Sequence, residues 1–221
     1  MSIRKGHCSM YRLFYYPRNA SLAPHFVLAH LGVPFSLELV DRKADAQKSA
    51  DYLKLNPAGR IPTLVDGKTV LFESPAICLY LAERHMDACL APAPGSPHRA
   101  KFLQWLMYLT NTLQADYMVY CYPEKHTQDP LGAKAVEAAH SDRVAAAFKI
   151  LDEALEGQLY LVGNTVTICD YFLLMLCIWA DDMPVPPQSF PRLGAYLKRL
   201  SAHKMVRQVC NTEGISLAAF T

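Results

Sequence analysis

The chain has 221 residues, 52% of them apolar, which is enough for one large or two ordinary globular domains. Its net charge of +2 and pI near 8.1 are too weak to attract a polyanion, so we expect no nucleic-acid partner. The opening MSIRKGHCSM has no apolar signal core, and no apolar run reaches the about 18 residues of a membrane span. We therefore expect a cytoplasmic protein that does not contact membranes.

The cysteines are seven in number and widely spread, with no C-x-x-C pair and no matching histidine spacing. This pattern predicts reduced thiols, not disulfides or metal ligands, and we predict no metal site. Cys78, Cys169 and Cys177 lie inside apolar helical patterns and are expected to pack as small hydrophobic residues. Cys8 lies in the polar N-terminal segment and is expected to be exposed.

Strand-like and helical patterns alternate in the first part of the chain, as in a βαβ unit followed by a further helix. The predicted elements are a strand from Tyr11 to Tyr16, a helix from Leu22 to Leu31 ended by Gly32, a strand from Phe35 to Val40, and a polar helix from Asp45 to Leu55.

The segment NPAGRIPTLVDGKTVLFES, starting at Asn56, predicts two short strands joined by a tight turn at Asp66-Gly67. Such strands are antiparallel. Ser74 and Pro75 then predict a helix start, with Ser74 as the N-cap and Pro75 at the first helical position. The order βαβαββα indicates a small mixed sheet between helices.

A proline-rich segment, APAPGSPH, separates this part from one that is almost entirely helical. The predicted helices run over Arg99 to Tyr120, Ala133 to Leu155, Thr167 to Ala180 and Pro191 to Ser201, followed by a short last helix. Thr167 and Asp170 fit a capping box at the start of the third of these. We therefore predict an α/β domain at 10–87, a linker at 88–97 and an all-α domain at 98–215.

NPAGRIPTL, followed at the appropriate distance by ESPAICLYLAE from Glu73, resembles the glutathione transferase superfamily. The resemblance implies a thioredoxin-like first domain, glutathione as co-substrate, a small apolar electrophile as second substrate, and a homodimer. Conjugation is the leading function, with thiol-dependent isomerisation, ether cleavage or peroxide reduction as close variants. The alternative is a non-catalytic protein of the same fold that binds glutathione or a hydrophobic ligand.

The same resemblance implies the glutathione contacts. Pro62 is a plausible cis residue, since it cannot donate to the sheet, and in this family the backbone before it pairs with the cysteinyl part of glutathione. Ile61 would make that main-chain contact. Ser74, at a helix start, would bind the γ-glutamyl carboxylate, and Glu73 the ammonium group. Arg60 would hold the glycyl carboxylate.

The stretch FYYPRNASLAPH, from Phe14 to His25, is where this family activates the thiol. It resembles the bacterial beta class, whose members carry cysteine directly before the serine, a position that Ala20 occupies here. The class also has a histidine and an asparagine on the fourth helix, and Gln114 and Met107 stand at those positions. A mixed disulfide with glutathione at Ala20 is therefore excluded.

Four donors remain, Ser21, Asn19, Tyr15 and Tyr16, and the first three are ranked in that order as candidates for stabilising the thiolate. The Ser21 hydroxyl could cap the helix with its oxygen and still direct its proton at the thiol. An Asn19 amide N–H can stabilise a thiolate, and Tyr15 aligns with the catalytic tyrosine of other classes. Tyr16 should face the opposite side of the strand and pack.

The apolar electrophile should bind between the domains against the fourth helix. Leu109, Leu113, Gln114 and Tyr117 are the predicted lining. Helical spacing alone does not separate a pocket residue from a core residue here. The identity of the electrophile does not follow from the sequence.

Overall fold

The structure is a computed structural model that describes residues 10–129 and 131–221. Cys8, which we expected to be exposed, lies outside the described residues. No helix among the described residues is long and apolar enough to cross a membrane.

The first part of the chain forms a four-stranded mixed sheet in the order β2-β1-β3-β4. Its strands are β1 (Tyr11–Tyr15), β2 (Phe35–Leu39), β3 (Thr63–Asp66) and β4 (Thr69–Phe72). β1 runs parallel to β2 and antiparallel to β3, and β3 and β4 form the predicted antiparallel hairpin. The parallel pair is joined by a helical crossover, as parallel strands require.

The helices alternate with these strands and then make up the second part of the chain. They are α1 (Leu22–Leu31), α2 (Ala50–Leu55), α3 (Ser74–Arg84), α4 (Arg99–Tyr108), α5 (Ala115–Cys121), α6 (Ala133–Ala154), α7 (Ile168–Trp179), α8 (Pro191–Ser201) and α9 (Lys204–Thr212). The predicted α/β fold followed by an all-helical part is confirmed.

Successive side chains of β1 point to opposite faces of the sheet and pack in different clusters. Leu13 and Tyr15 pack into the main core with α1 and α3, whereas Phe14 and Tyr16 pack on the opposite face against Tyr52 of α2. The prediction that Tyr16 is a packing residue on the face opposite Tyr15 is confirmed.

The main core runs without interruption from the sheet into the helical part. α1 is the shared element, because it packs against α3 on one side and against α7 and α9 on the other. Phe26 of α1 stacks on Tyr171 of α7 with ring centroids 5.8 Å apart. Cys78, Cys169 and Cys177 are buried free thiols, as predicted, and burial raises the pKa of all three.

Two local predictions in the first part were wrong. The continuous polar helix expected from Asp45 to Leu55 is instead a 3-10 turn, Ala46–Lys48, followed by α2, because the extended backbone of Ser49 (φ −63°, ψ 148°) separates the two. The hairpin turn lies one residue later than expected: Asp66 pairs with Thr69, so the two loop residues are Gly67 and Lys68.

The long helix expected from Arg99 to Tyr120 is interrupted by a π-helical segment, Leu109–Gln114. Each π turn holds more residues than an α turn, so the residues beyond it face a different direction from the one that α-helical spacing predicts. This segment carries three of the four residues that we predicted to line the electrophile pocket.

Candidate functional site

Three segments meet at the end of the sheet where β1 finishes. The first is the β1–α1 corner (residues 16–21), and the second is the Ile61-Pro62 pair, which precedes β3. Because Phe14 pairs with Thr63, the residues that follow β1 lie beside those that precede β3. The third is the start of α3, where Ser74 Oγ donates a hydrogen bond of 2.6 Å to the Ala20 carbonyl.

The main chain of Ile61 is available to a ligand at this point. The Ile61-Pro62 peptide is cis, as predicted. The preceding Arg60 carbonyl accepts hydrogen bonds from Tyr52 Oη (2.8 Å) and Asn56 Nδ2 (2.7 Å), which hold the segment in place. Within the described part of the chain, neither the amide nor the carbonyl of Ile61 has a hydrogen-bond partner. An extended peptide could pair with both groups.

The start of α3 differs in one detail from the prediction. Ser74 is the first residue of the helix, and Glu73 is the N-cap, so the prediction that Ser74 caps the helix was wrong. The Ser74 hydroxyl donates its proton to the Ala20 carbonyl, because the β1–α1 corner lies close to the start of α3. The backbone N–H groups of the first turn remain directed at any anion in front of the helix.

Glu73 adopts a positive φ of 71° with ψ of 112°, a conformation that side-chain-bearing residues rarely occupy. Such a conformation costs about 1–3 kcal/mol and is typical of ligand-binding sites. The Glu73 side chain is exposed, and no described residue forms an ion pair with it. Its carboxylate is therefore free for a cationic group.

Arg60 is exposed at the other side of the Ile61-Pro62 pair. Its guanidinium has no ion-pair partner among the residues that the structure describes. Its backbone carbonyl accepts the hydrogen bonds from Tyr52 and Asn56. A carboxylate could thus bind Arg60 in the bidentate manner that guanidinium favours.

Ser21 does not have the arrangement that we predicted. Its side chain is fully buried and makes no cap hydrogen bond to α1. Instead, Oγ donates to the Tyr16 carbonyl (3.2 Å) and accepts from the Tyr16 amide (3.3 Å). A hydroxyl has a single proton, so Ser21 closes the β1–α1 corner and has no proton left for a thiolate.

Asn19 and Tyr15 retain free donors. Asn19 is half-buried, and its Oδ1 accepts from the Ala20 amide at 2.7 Å, which orients the side-chain amide. No hydrogen bond engages Asn19 Nδ2 or Tyr15 Oη within the described part of the chain. Tyr16 Oη is also unengaged within the described residues, but Tyr16 packs on the face of the sheet opposite Tyr15.

Comparisons with known proteins identify the family. The family model for the glutathione S-transferase N-terminal domain matches residues 20–84, and that for the C-terminal domain matches residues 110–204. The first match covers α1 to α3 and strands β2 to β4, and the second covers most of the helical part. The chain belongs to the glutathione S-transferase family.

Relatives of this glutathione S-transferase extend over nearly its whole length. Glutathione S-transferase GstA of Escherichia coli O157:H7 is 29% identical over 92% of this chain and 99% of its own. A sphingomonad glutathione S-transferase, solved in complex with glutathione, is 29% identical, with a TM-score of 0.80 over 93% of this chain and 100% of its own. The beta-class enzyme of Sphingomonas chungbukensis is 28% identical with the same TM-score, 0.80, and the same coverage, 93% and 100%.

Two of the four residues predicted to line an electrophile pocket do not have the exposure that this role requires. Leu109 and Leu113 are 0% and 1% exposed and belong to the main core, so they cannot line an open pocket. Leu109 begins the π-helical segment and Leu113 lies within it, and both side chains pack into the main core. Gln114 and Tyr117 are half-buried and remain accessible.

Tyr117 is part of an aromatic cluster against the end of α7. Its ring stacks on Trp179 at 5.8 Å, and its hydroxyl donates a 2.5 Å hydrogen bond to the Trp179 carbonyl. Burial is the main cause that raises the pKa of the Tyr117 hydroxyl, helped by Cys121 and Asp182. Tyr117 is therefore a neutral aromatic surface at neutral pH.

Sequence reasoning missed Arg18, His25 and Glu213 as residues of this region. Arg18 adopts φ of 55° in the β1–α1 corner and bonds to the helical part, as does His25. No local pattern signals these contacts, because Glu213 lies far along the chain from both. The left-handed turn itself is hidden, since glycine or asparagine would normally mark it.

Proposed function

We propose that this glutathione S-transferase binds glutathione at the β1–α1 corner, ionises its thiol there, and transfers it to a small apolar electrophile. The observation that carries the proposal is the free main chain of Ile61, placed between the start of α3 and two unengaged donors. The relatives at this similarity are named as transferases, which favours catalysis over a binding-only role.

Glutathione would lie across the end of the sheet as an added extended segment. Its cysteinyl amide and carbonyl would pair with Ile61, in the way that a peptide extends a sheet edge. The γ-glutamyl carboxylate would face the N–H groups at the start of α3, and its ammonium the free Glu73 carboxylate. The glycyl carboxylate would bind Arg60.

Asn19 is the donor that we propose for the thiolate, in place of Ser21. A free thiol with a pKa near 8.5 is about 3% ionised at pH 7, and each unit of depression corresponds to about 1.4 kcal/mol. One N–H donor to a charged acceptor contributes about 1.5–3 kcal/mol, which suffices for one or two units. Tyr15 Oη is the second candidate, because its hydroxyl is also unengaged within the described residues.

The experiment is a thiolate absorbance titration of glutathione bound to the wild-type protein and to Asn19→Ala, Tyr15→Phe and Ser21→Ala. We expect a depressed thiol pKa in the wild type and a return toward the free value in Asn19→Ala. Ser21→Ala should alter stability more than the thiol pKa, since its hydroxyl bonds only Tyr16. A wild-type protein whose bound thiol titrates like free glutathione would contradict the proposal.

The electrophile would bind against Gln114 and Tyr117, with Trp179 behind the tyrosine ring. A flat aromatic pair of this kind suits an aromatic or otherwise apolar substrate. Chlorodinitrobenzene is a suitable probe, because conjugation changes its absorbance.

We also propose that the protein acts as a homodimer. Strand β4 is an edge of the sheet, and its Val70 and Phe72 are each 38% exposed, while Leu103 on α4 is 39% exposed. Unpaired edges and exposed apolar side chains are typical of interfaces. Light scattering on the purified protein, with Phe72→Lys as the disrupting variant, tests this.

The cytoplasm is the compartment that we propose for this activity. The cysteines that the structure describes are all free, four of them buried, and a thiol-dependent reaction needs a reducing compartment. Fractionation of cells that express the protein tests this location.

A further inference from the structure

The β1–α1 corner contains an arginine in a conformation that arginine disfavours. Arg18 has φ of 55°, in the left-handed region where a side chain crowds the following carbonyl. Such a residue persists only where its surroundings over-determine it. In Arg18 the backbone and the side chain are both bonded, and all of their partners lie in the helical part of the chain.

The backbone of Arg18 is held by a buried carboxylate. Its amide donates to Glu213 Oε2 at 3.1 Å, while Glu213 Oε1 lies 2.8 Å from His25 Nδ1. The Glu213 and His25 side chains are 0% and 4% exposed. A buried carboxylate must have all its partners in place, so Glu213 fixes the corner from two sides, at Arg18 and at His25 on α1.

The side chain of Arg18 reaches the end of α7. Its Nη2 donates to the Ile178 carbonyl at 2.8 Å and to Asp181 Oδ1 at 2.6 Å. A cation there is favourable, because the last carbonyls of a helix are unpaired and carry the negative end of its dipole. The next carbonyl, that of Trp179, accepts from Tyr117 Oη.

Arg18 of the corner and Tyr117, which we propose contacts the electrophile, thus bond to consecutive carbonyls at the end of α7. Asn19, the donor proposed for the thiolate, directly follows Arg18. Any rotation of the Arg18 backbone would move the Asn19 amide relative to the thiol.

We propose that Arg18 and Glu213 are positioning residues, which hold the Asn19 amide in the orientation that ionises the glutathione thiol. Neither residue contacts the thiol, and the inference rests on the proposed function of the corner. The bonds of Arg18 to the helical part compensate for its left-handed backbone, so that the helical part sets the geometry of a site that the sheet domain carries.

The test compares Arg18→Gly, Arg18→Lys and Glu213→Gln with the wild type. Arg18→Gly is informative because glycine accepts φ of 55° without strain, so the variant loses the side-chain bonds but is not prone to misfolding. Arg12→Ala is the matched control, since Arg12 makes an exposed ion pair with Glu38 inside the sheet domain. Unfolding midpoints of all variants establish that each is folded.

In Arg18→Gly we expect the pKa of the bound glutathione thiol to rise by about one unit, with about three- to eightfold less thiolate at pH 7 and a matching fall in kcat for chlorodinitrobenzene. The KM for glutathione should stay within about threefold, because the binding groups are untouched. Arg18→Lys, which keeps a cation at the helix end, should recover part of kcat. Glu213→Gln should raise the thiol pKa in the same direction.

An Arg18→Gly protein with the wild-type thiol pKa and kcat would overturn the inference while leaving the proposed function intact. The same holds if the KM for glutathione rises and the thiol pKa does not, since Arg18 would then serve binding. If the thiol of glutathione bound to the wild type ionises like free thiol, the proposed function itself fails and this inference fails with it.

Discussion

The Ser74 hydroxyl donates a 2.6 Å hydrogen bond to the main-chain carbonyl of Ala20, across 54 positions of sequence. The bond joins the start of α3 to the β1–α1 corner, the two segments proposed to bind the γ-glutamyl group and the thiol. It uses the backbone of Ala20 and not its side chain. A substitution of Ala20 therefore leaves the bond in place.

A cysteine at position 20 should form a mixed disulfide with glutathione. In Ala20→Cys the new thiol would stand beside the proposed thiol site, in a half-buried position that a small side chain can occupy. Incubation with oxidised glutathione should add one glutathionyl group, detected by mass spectrometry. The reaction is thiol exchange, with one reduced glutathione released.

Ser21→Cys is the matched control for that experiment, because Ser21 is adjacent but fully buried. It should gain no glutathionyl group. Both variants need a background in which Cys8, which the sequence predicts to be exposed, and the exposed Cys89 and Cys121 are replaced by serine, so that other thiols do not react. Equal modification at positions 20 and 21 would contradict the proposed position of the thiol.

Arg60→Ala should weaken glutathione binding by about tenfold, which corresponds to the loss of one exposed charge-assisted contact. The sharper measurement compares glutathione with γ-glutamylcysteine, which lacks the glycyl carboxylate. Calorimetry should find that Arg60→Ala no longer matters for the shorter ligand. Arg42, another exposed arginine, provides the control variant Arg42→Ala.

Asp170→Ala should destabilise the fold by about 3 kcal/mol or more, because it leaves several buried donors unpaired. The Asp170 carboxylate accepts from Thr167 N (2.7 Å), Thr167 Oγ1 (2.9 Å), Leu161 N (3.0 Å) and Tyr196 Oη (2.6 Å). Urea unfolding measures the effect. Asp51→Ala, at an exposed site, should leave the urea midpoint unchanged, and a similar loss in both variants would refute the argument.

Substitution of Leu109 should affect stability alone, and substitution of Gln114 should affect substrate binding alone. Leu109→Ala is expected to lower the unfolding free energy by about 2–5 kcal/mol through a core cavity, with the KM for chlorodinitrobenzene unchanged. Gln114→Ala should do the reverse, changing that KM with little effect on unfolding. Steady-state kinetics on both folded variants measures these KM values. A changed KM in Leu109→Ala would show that Leu109 also contacts the substrate.

His30 should make the fold less stable as the pH falls. Its Nδ1 lies 2.6 Å from Tyr171 Oη, and burial, with a smaller effect of His203, lowers its pKa below the usual value. The unfolded chain then takes up a proton at about pH 6.5, before the folded protein does, so the stability present above that pH is lost toward lower pH.

Urea midpoints at about pH 7.5 and pH 5.5 test this dependence on each side of the usual histidine pKa. His30→Gln should lose less stability over that interval than the wild type. His126→Gln, at an exposed position, serves as control. An identical loss in His30→Gln and the wild type would assign the pH dependence to other groups.

Several elements could be predicted from the sequence because their signals are local. The bounds of α1 and α8 agree with prediction to the residue, since Gly32 ends the first and Pro191 opens the second. The capping box of Thr167 and Asp170 is present as predicted, because it needs only residues three positions apart. Family membership followed from two short motifs in the correct order.

The errors arose where a local pattern has two outcomes that only packing distinguishes. Apolar residues at helical spacing can line either a pocket or a core, and only the packed structure shows that Leu109 and Leu113 lie in the core. A serine before a helix can cap that helix or bond to another group. Ser21 bonds to the Tyr16 backbone, because the β1–α1 corner brings the two residues together.

The sequence by itself determined the fold class, the family and the segments that we propose bind glutathione, because each depends on short-range periodicity or on a contiguous motif. The tertiary structure alone decided which donors stay free for the thiol and what holds them. Ser21 is engaged by Tyr16, and Arg18 is held by Glu213, 195 positions away. A hydroxyl or a buried carboxylate bonds to the partner that tertiary packing places within about 3 Å. Packing depends on the whole chain, so a local sequence pattern does not reveal that partner.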